Sequence, residues 1–200
     1  MNPLLKTASG LLLAPLRTSA VRRRRLLLVA LVLALAAAPA PAQDASAPAL
    51  KAAFLYNFVK FAEWPAGVLS TNSTFVLCVV GDDAVADALR KTVDGHNIGA
   101  HPVVITRGKA DALPLCHMLY ASGLNEKQSA RLLDSLKGKT VFTVSDQETF
   151  AQLGGVAHFF VENGKMRFAI NPDAAQRAHL TLSSKLLSLA KLVKDERNGS

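Results

Sequence analysis

The stretch FVLCVVGDDAVADALRK, residues 75 to 91, places a continuous apolar run directly before an amphipathic pattern. The run Phe75 to Val80 is typical of a strand that is covered on both faces. The apolar residues between Ala84 and Lys91 recur at the spacing of a helix. The segment GDD at 81 to 83 joins the two with a glycine turn and a capping aspartate. A buried strand that leads straight into a covering helix predicts the α/β class.

The same alternation of buried strands and amphipathic helices continues along the chain. It begins with an N-terminal helix whose apolar residues share one face and whose pattern stops at Trp64-Pro65. The expected strands are Phe75 to Val80, Val103 to Thr106, His117 to Ala121 and Thr140 to Val144. The expected helices are Ala49 to Glu63, Ala84 to Lys91, Glu126 to Leu136, Gln147 to Gln152, Pro172 to Ala178 and Ser184 to Val193.

Two later runs, Val156 to Val161 and Lys165 to Ile170, flank the tripeptide Glu162-Asn163-Gly164. An Asn-Gly turn between β-rich segments is a strong hairpin signal. Strands joined by such a turn are antiparallel, whereas strands separated by helices are usually parallel. The sequence therefore predicts a three-layer α/β/α sandwich with a mostly parallel sheet and an antiparallel edge hairpin.

The first 42 residues carry an export pattern. A basic, acid-free segment that ends at Arg25 precedes the apolar run Leu26 to Ala38, as in a cleavable signal peptide. That run spans only ~20 Å as a helix, short of the ~30 Å hydrocarbon core, so a permanent anchor is the weaker alternative. An A-x-A pattern predicts that the signal peptide is cleaved after Ala42. The basic segment suits export by either the Sec or the twin-arginine pathway. Residues 43 to 200 would then form one periplasmic α/β domain.

Removal of the signal changes the charge balance. The whole chain has 23 basic and 15 acidic residues and a formal net charge of +8. Six of the basic residues and none of the acids lie in the first 42, which leaves 17 against 15, a net charge of +2. Nucleic-acid binding needs a basic surface that survives processing, so nucleic acid is not an expected partner. No transmembrane segment is expected after processing.

Local motifs for catalysis are missing from the sequence. It contains no P-loop, no G-x-G-x-x-G and no G-x-S-x-G elbow. The five histidines show no i,i+4 pairing and no Cys/His cluster of the kind that metal sites use. We therefore expect a binding or regulatory protein rather than an enzyme, with no catalytic residue, no metal and no cofactor.

One polar group of residues lies where open α/β sheets bind ligands, at the carboxyl ends of the strands. Gly81 and Asp82 follow the first strand, and Ser122 follows a later one. These three residues are the expected crevice of a periplasmic small-molecule-binding module, which is the alternative function. Asp82 could instead contribute to a divalent-cation site, but the simpler interpretation of the acidic pair is that Asp83 caps the following helix.

The chain has two cysteines, Cys78 and Cys116, and an even pair in an oxidising compartment is a disulfide candidate. If their strands are parallel neighbours that end at Val80 and Ala121, the two cysteines are offset by ~10 Å along the strands. That offset exceeds the ~7 Å limit between bonded Cα atoms unless a bulge or another register intervenes. The alternative is a pair of buried free thiols.

Several motifs together resemble one known family. The segment KAAFLYNFVKFAEWP, residues 51 to 65, resembles the opening signature of the YfiR-like family of exported bacterial proteins. Further matches follow in the family's order: CHMLYAS at 116 to 122, VFTVSD at 141 to 146, GGVAHFFVENGKMRFAIN at 154 to 171 and LSSKLLSLAKLV at 182 to 193. The matches extend over essentially the whole expected mature chain.

The resemblance implies a periplasmic regulatory protein, often a homodimer. Such a protein restrains an inner-membrane diguanylate cyclase of the YfiN type by binding its periplasmic sensor portion. Cyclic-di-GMP signalling, and biofilm formation with it, would then depend on this chain. An inhibitor of this kind needs a contact surface, where aromatic residues and arginine contribute most. The candidates beside the hairpin are Lys165, Arg167, Phe168 and Asn171, of which Phe168 is expected to face the core.

Overall fold

The computed structural model describes residues 47–70, 73–110, 113 and 115–196. Strands and helices alternate in it, as in the predicted α/β class. In chain order the elements are α1 (Ala47–Lys60), β1 (Ala62–Glu63), β2 (Phe75–Val80), α2 (Asp83–Val93), β3 (Asn97–Ile98), β4 (His101–Gly108), β5 (Met118–Ala121), α3 (Glu126–Ser135), β6 (Phe142–Ser145), β7 (Ala157–Glu162), β8 (Lys165–Ile170), α4 (Pro172–Arg177), β9 (Thr181–Leu182), α5 (Ser184–Leu189) and β10 (Lys191–Leu192).

An eight-stranded sheet runs in the order β10-β8-β7-β6-β5-β2-β4-β3. The neighbours from β4 through β2, β5 and β6 to β7 are parallel. The β7–β8 hairpin and the β3–β4 pair are antiparallel. Asn163 and Gly164 have φ values of 51° and 72° at the hairpin turn, which suits the twist of a two-residue connection. The predicted mostly parallel sheet with an antiparallel hairpin is confirmed.

Each strand sends alternate side chains to opposite faces of the sheet. On β5, Tyr120 belongs to a large apolar cluster with helices α1 and α2, whereas Leu119 belongs to a second cluster with α3. Phe58 of α1 and Leu89 of α2 are buried in the first cluster, and Leu132 of α3 in the second. Helices therefore pack on both faces, and the predicted three-layer α/β/α sandwich is confirmed.

The end of the chain differs from the prediction. The helix expected to reach Val193 ends at Leu189, and Lys191–Leu192 forms β10, parallel to the edge of β8. An edge strand offers unpaired backbone N–H and C=O groups, and pairing with them satisfies the backbone of β10 as well. Leu189 and Leu192 are 62% and 57% exposed, so burial did not favour a longer helix. The hairpin strand β8 is consequently not the outermost strand.

The short helix predicted from Gln147 to Gln152 is instead a series of turns. The N–H of Phe150 donates to the carbonyl of Gln147, three residues back, which is a turn rather than an α-helical bond. Phe150 is fully buried, and a Cβ on Gly155 would lie 2.3 Å from its ring. Tertiary packing of this aromatic ring on a glycine overrides the local helical pattern.

The described residues, from Ala47 onward, belong to one compact unit. Among the described residues, no helix combines the length and the apolarity that crossing a bilayer requires. The expected signal peptide, residues 1 to 42, lies outside the described residues, as does the expected cleavage after Ala42.

Candidate functional site

The carboxyl ends of β2, β5 and β6 meet at one edge of the sheet. Gly81 and Asp82 follow β2, Ser122 follows β5, and Asp146 follows β6. The chain adds β4 on one side of β2 and then β5 on the other, so a topological switch point lies between β2 and β5. Open α/β sheets form ligand crevices at such points. The structure thus brings the three predicted crevice residues to one edge, and Asp146 joins them.

Asp146 accepts hydrogen bonds from two hydroxyls and one backbone N–H. Its Oδ2 lies 2.6 Å from the hydroxyl of Ser122 and 3.4 Å from that of Tyr120. Its Oδ1 accepts the N–H of Gly123 at 3.3 Å. A carboxylate that accepts several hydrogen bonds is stabilised in its ionised form. Asp146 is therefore held as an anion at the end of β6.

Lys51 of α1 reaches the same edge and pairs with two carboxylates. Its Nζ lies 3.3 Å from Oδ2 of Asp146 and 3.6 Å from Oδ2 of Asp82. The ammonium also lies 5.5 Å from the centroid of the Tyr120 ring. The Lys51 side chain is only 15% exposed. We call Lys51, Asp82, Tyr120, Ser122 and Asp146 the carboxyl-edge network, which connects the first helix to three strand ends.

The ionisation of this network follows from its contacts. Burial opposes the charge on Asp146, but the Ser122 hydroxyl and the Lys51 ammonium together hold the pKa of Asp146 below its usual value. Burial likewise opposes the charge on Lys51, and its contacts with Tyr120 and Asp146 raise its pKa. Burial raises the pKa of the Tyr120 hydroxyl. At neutral pH the network therefore holds a lysine cation, an aspartate anion and a neutral tyrosine.

The backbone closes the crevice beside Gly81. Gly81 has a φ of +79°, and a Cβ there would lie 2.3 Å from the carbonyl oxygen of Ser122. Asp82 caps α2, because its Oδ1 accepts the N–H of Val85 at 3.0 Å. The prediction that Asp83 is the cap was wrong by one residue. Lys51 pairs with Asp82 at this edge, and ligand binding there stays a prediction.

The four partner-surface candidates separate into an exposed pair and a buried pair. Lys165 and Arg167 are exposed on β8, and Nε of Arg167 lies 3.8 Å from Oε2 of Glu162. Phe168 is 6% exposed, and its ring centroid lies 4.9 Å from that of Phe58 in the core, as expected from the sequence. The exposed pair is the part of the candidate surface that a protein partner can touch directly.

Asn171 is fully buried and serves the local fold. Its Oδ1 accepts the N–H of Ala174 at 3.0 Å, which caps helix α4. Its Nδ2 donates to the carbonyl of Ala151 at 2.8 Å and to Oδ1 of Asp195 at 2.5 Å. Asp195 also lies 2.7 Å from Arg177, so Asn171 takes part in anchoring the end of the chain to α4. A contact with a partner would have to involve neighbours of this side chain.

Cys78 and Cys116 form a disulfide, with Cα atoms 5.8 Å apart. The register pairs Cys78 with Leu119, three residues after Cys116, so an extended chain would separate the cysteines by ~10 Å. Strand β5 begins only at Met118, and Cys116 lies before it, in the second apolar cluster with Cys78. The chain therefore bends back over this face of the sheet before β5. That bend removes the predicted obstacle to the bond.

Comparison with known proteins identifies the family. A model of YfiR/HmsC-like proteins matches residues 48–191, which include every described strand except the last residue of β10. The chain belongs to the YfiR/HmsC-like family. Known members of this family regulate diguanylate cyclases and are regulatory rather than catalytic. The resemblance read from the sequence motifs is confirmed at the level of the family.

A solved structure described as a conserved domain protein from Vibrio cholerae O1 biovar El Tor strain N16961 is similar to this YfiR/HmsC-like chain at 12% sequence identity. The TM-score is 0.48, and the match covers 74% of this chain and 60% of that one. The chain thus spans about three fifths of the length of that solved relative.

The YfiR/HmsC-like signature at 51 to 65 has a physical role in this fold. It begins with Lys51, the cation of the carboxyl-edge network, and its phenylalanines and its tryptophan belong to or pack against the first apolar cluster. Trp64 near its end lies edge-on to Phe75, with ring centroids 5.0 Å apart. The signature therefore attaches α1 to the sheet by an ion pair at one end and by aromatic packing at the other.

The chemistry available to the carboxyl-edge network is limited by its charges. Ser122 donates to Asp146, but a carboxylate with a lowered pKa is a weak base for activating a hydroxyl. Within the described ranges, no three histidine, cysteine or acidic side chains are grouped to hold a metal ion. The arrangement of charges suits a structural connection better than proton transfer.

Sequence reasoning missed Lys51, Tyr120 and Asp146. An acid that ends a buried strand was a usable signal for Asp146, since VFTVSD closes with it. Lys51 gave no such signal, because it lies 95 residues from Asp146 along the chain. Its role is visible only once α1 packs over the ends of the strands.

Proposed function

We propose that this chain is a periplasmic regulatory protein that restrains an inner-membrane diguanylate cyclase of the YfiN type by binding its periplasmic portion. The supporting observation is the family match over residues 48–191, because known YfiR/HmsC-like proteins regulate diguanylate cyclases. Restraint of the cyclase would lower cyclic-di-GMP signalling and biofilm formation. A second copy of the chain, as in a homodimer, is compatible with this role.

Two features support the periplasm as the place of action. The Cys78–Cys116 disulfide suits an oxidising compartment, since cytosolic thiols are generally kept reduced. The basic and apolar pattern of the first 42 residues, with the A-x-A site at Ala42, suits cleavable export. A protein processed in this way would meet the periplasmic part of a membrane-bound cyclase without an anchor of its own.

The contact surface that we propose is the tip of the β7–β8 hairpin. Lys165 and Arg167 are exposed there, and Phe160, the cross-strand partner of Arg167, is only partly buried. Arginine next to a partly exposed aromatic side chain is a combination that recurs at protein–protein hot spots. Phe168 supports the hairpin from inside, since its ring packs on Phe58. A partner with an acidic rim around an apolar centre would complement this tip.

The test is a pull-down from detergent-solubilised membranes of the source bacterium, with the purified exported protein as bait. Mass spectrometry should identify a membrane-bound diguanylate cyclase among the retained proteins. Combined Lys165→Glu and Arg167→Glu substitutions should reduce its recovery at least tenfold, because like charges then face an acidic rim. Lys127→Glu, an exposed lysine on α3, is the matched control and should leave recovery unchanged.

Recovery of no cyclase by the unmodified bait would contradict the proposed function. Equal recovery by the hairpin variant and the control would contradict only the proposed surface. A companion measurement of cyclic-di-GMP in cells separates binding from regulation. Deletion of this chain should raise the cyclic-di-GMP level, and an unchanged level would contradict the restraining role.

A further inference from the structure

An apolar cavity of about 510 Å³ lies on the second face of the sheet, beside the disulfide. Its lining includes Cys116, Leu119, Leu136 and Val141. His117 and Val141, which also line the cavity, directly precede β5 and β6, so the cavity lies at the amino ends of these strands, opposite to the carboxyl-edge network. Cavities of ~300–1,000 Å³ with mainly apolar walls and a few polar groups are typical of small-molecule sites.

The edge of this cavity carries an unusually exposed apolar side chain. Leu115 lines the cavity and is 80% exposed, the largest exposed fraction among the described large hydrophobic residues. His117 forms part of the cavity wall, and its imidazole is uncharged at neutral pH. Its Nδ1 accepts the N–H of Val76 at 2.9 Å, and burial lowers the pKa of the ring. An alkyl chain in the cavity would remove Leu115 from water and would meet no charged group on that wall.

A second cavity, of about 650 Å³, adjoins the first and adds positive charge. The two share Leu113, Leu136 and Lys139 in their linings, and the second also includes Arg131. Among the described residues, neither Lys139 nor Arg131 has an ion-pair partner, and the described linings of both cavities contain no acidic side chain. The apolar cavity therefore opens toward two cations that are available to an anion.

We propose that the joined cavities bind an amphiphilic carboxylate, with its alkyl chain beside the disulfide and its carboxylate at Lys139 and Arg131. The apolar walls supply the affinity, at ~0.8 kcal/mol for each buried methylene. The two cations supply the preference for an anion over a neutral molecule of the same length. The site is independent of the proposed cyclase regulation, since it needs no partner protein.

The test is isothermal titration calorimetry, in which decanoate is titrated into the purified exported protein below its critical micelle concentration. Saturable binding of one decanoate per chain is expected. Octanoate should bind about tenfold more weakly because two methylenes are lost, and decanol at least fivefold more weakly than decanoate. Lys139→Gln should weaken decanoate binding about fivefold, and Leu115→Asn at least threefold. Lys127→Gln on α3 is the control and should bind as the unmodified protein does.

Both test positions are exposed, so the variants should fold, and their circular dichroism spectra verify this. The proposal is overturned if decanoate gives no saturable heat, or if Lys139→Gln and Leu115→Asn both bind it unchanged. It is equally overturned if decanol binds as tightly as decanoate. If decanoate does not bind while the periplasmic portion of a cyclase slows hydrogen exchange around Leu115, the surface is a protein interface and the ligand proposal fails.

Discussion

Replacement of Lys51 by methionine tests whether the carboxyl-edge network stabilises the fold. Methionine keeps the apolar stem but leaves the carboxylates of Asp82 and Asp146 without their cation. The three side chains are 15%, 21% and 30% exposed, so solvent screens the loss only in part. Removing one partner of a fully buried pair costs ~3–5 kcal/mol, and an exposed pair contributes ~1 kcal/mol or less. We expect the free energy of unfolding to fall by about 2 kcal/mol.

The assay is urea unfolding of the purified exported protein at pH 7, followed by far-ultraviolet circular dichroism. A loss of about 2 kcal/mol corresponds to a Tm lower by ~4–8 °C for a domain of this size. The double variant Lys51→Met, Asp146→Asn should lose less than the sum of the single losses, by ~1 kcal/mol, because the two groups contact each other. Lys60→Met changes an exposed lysine of the same helix and should stay within ~0.5 kcal/mol of the unmodified protein.

A Lys51→Met protein as stable as the Lys60→Met control would refute this account of the network, and strict additivity in the double variant would refute the direct coupling. The pH dependence gives a further check. The pKa of Asp146 is lowered in the folded state, so its contribution is present above the unfolded value of about 3.8. The contribution disappears as the pH falls through the lower folded pKa. The penalty of Lys51→Met should therefore shrink in strong acid.

Three other perturbations test the close approach at Gly81, the buried His158 and the disulfide. Gly81→Ala should lower the free energy of unfolding by more than ~2 kcal/mol, because the added Cβ would lie 2.3 Å from a backbone carbonyl oxygen. Gly95 also has a positive φ but faces open space, so Gly95→Ala should cost only ~1 kcal/mol in the same urea assay. Burial and the nearby Lys191 charge lower the pKa of His158 to about 4. The unfolded state therefore binds more protons below pH 6.5, and stability should fall by ~2 kcal/mol between pH 7 and pH 5. A His158→Gln variant that shows the same pH dependence would contradict that assignment. Joint Cys78→Ser and Cys116→Ser substitution should cost up to ~4 kcal/mol, and a reductant should then have no further effect on the urea midpoint.

Local sequence patterns determined most of the secondary structure. The apolar run from Phe75 to Val80 became a strand over the predicted bounds, because continuous apolarity suits a strand covered on both faces. The Asn163-Gly164 turn and the strand Lys165–Ile170 also match the prediction, since positive φ at two successive residues is a local property. Motifs spread over the whole domain were enough to place the chain in its family.

Tertiary structure alone decided the features that join distant parts of the chain. Lys51 and Asp146 meet only because α1 packs across the end of β6, and no local pattern records that neighbour. The disulfide forms because the chain bends before Met118, and Lys191–Leu192 is a strand because β8 offers it an edge. Sequence periodicity reports which side of an element is buried. It does not report which other element covers that side, since that choice depends on packing and backbone pairing across the whole sheet.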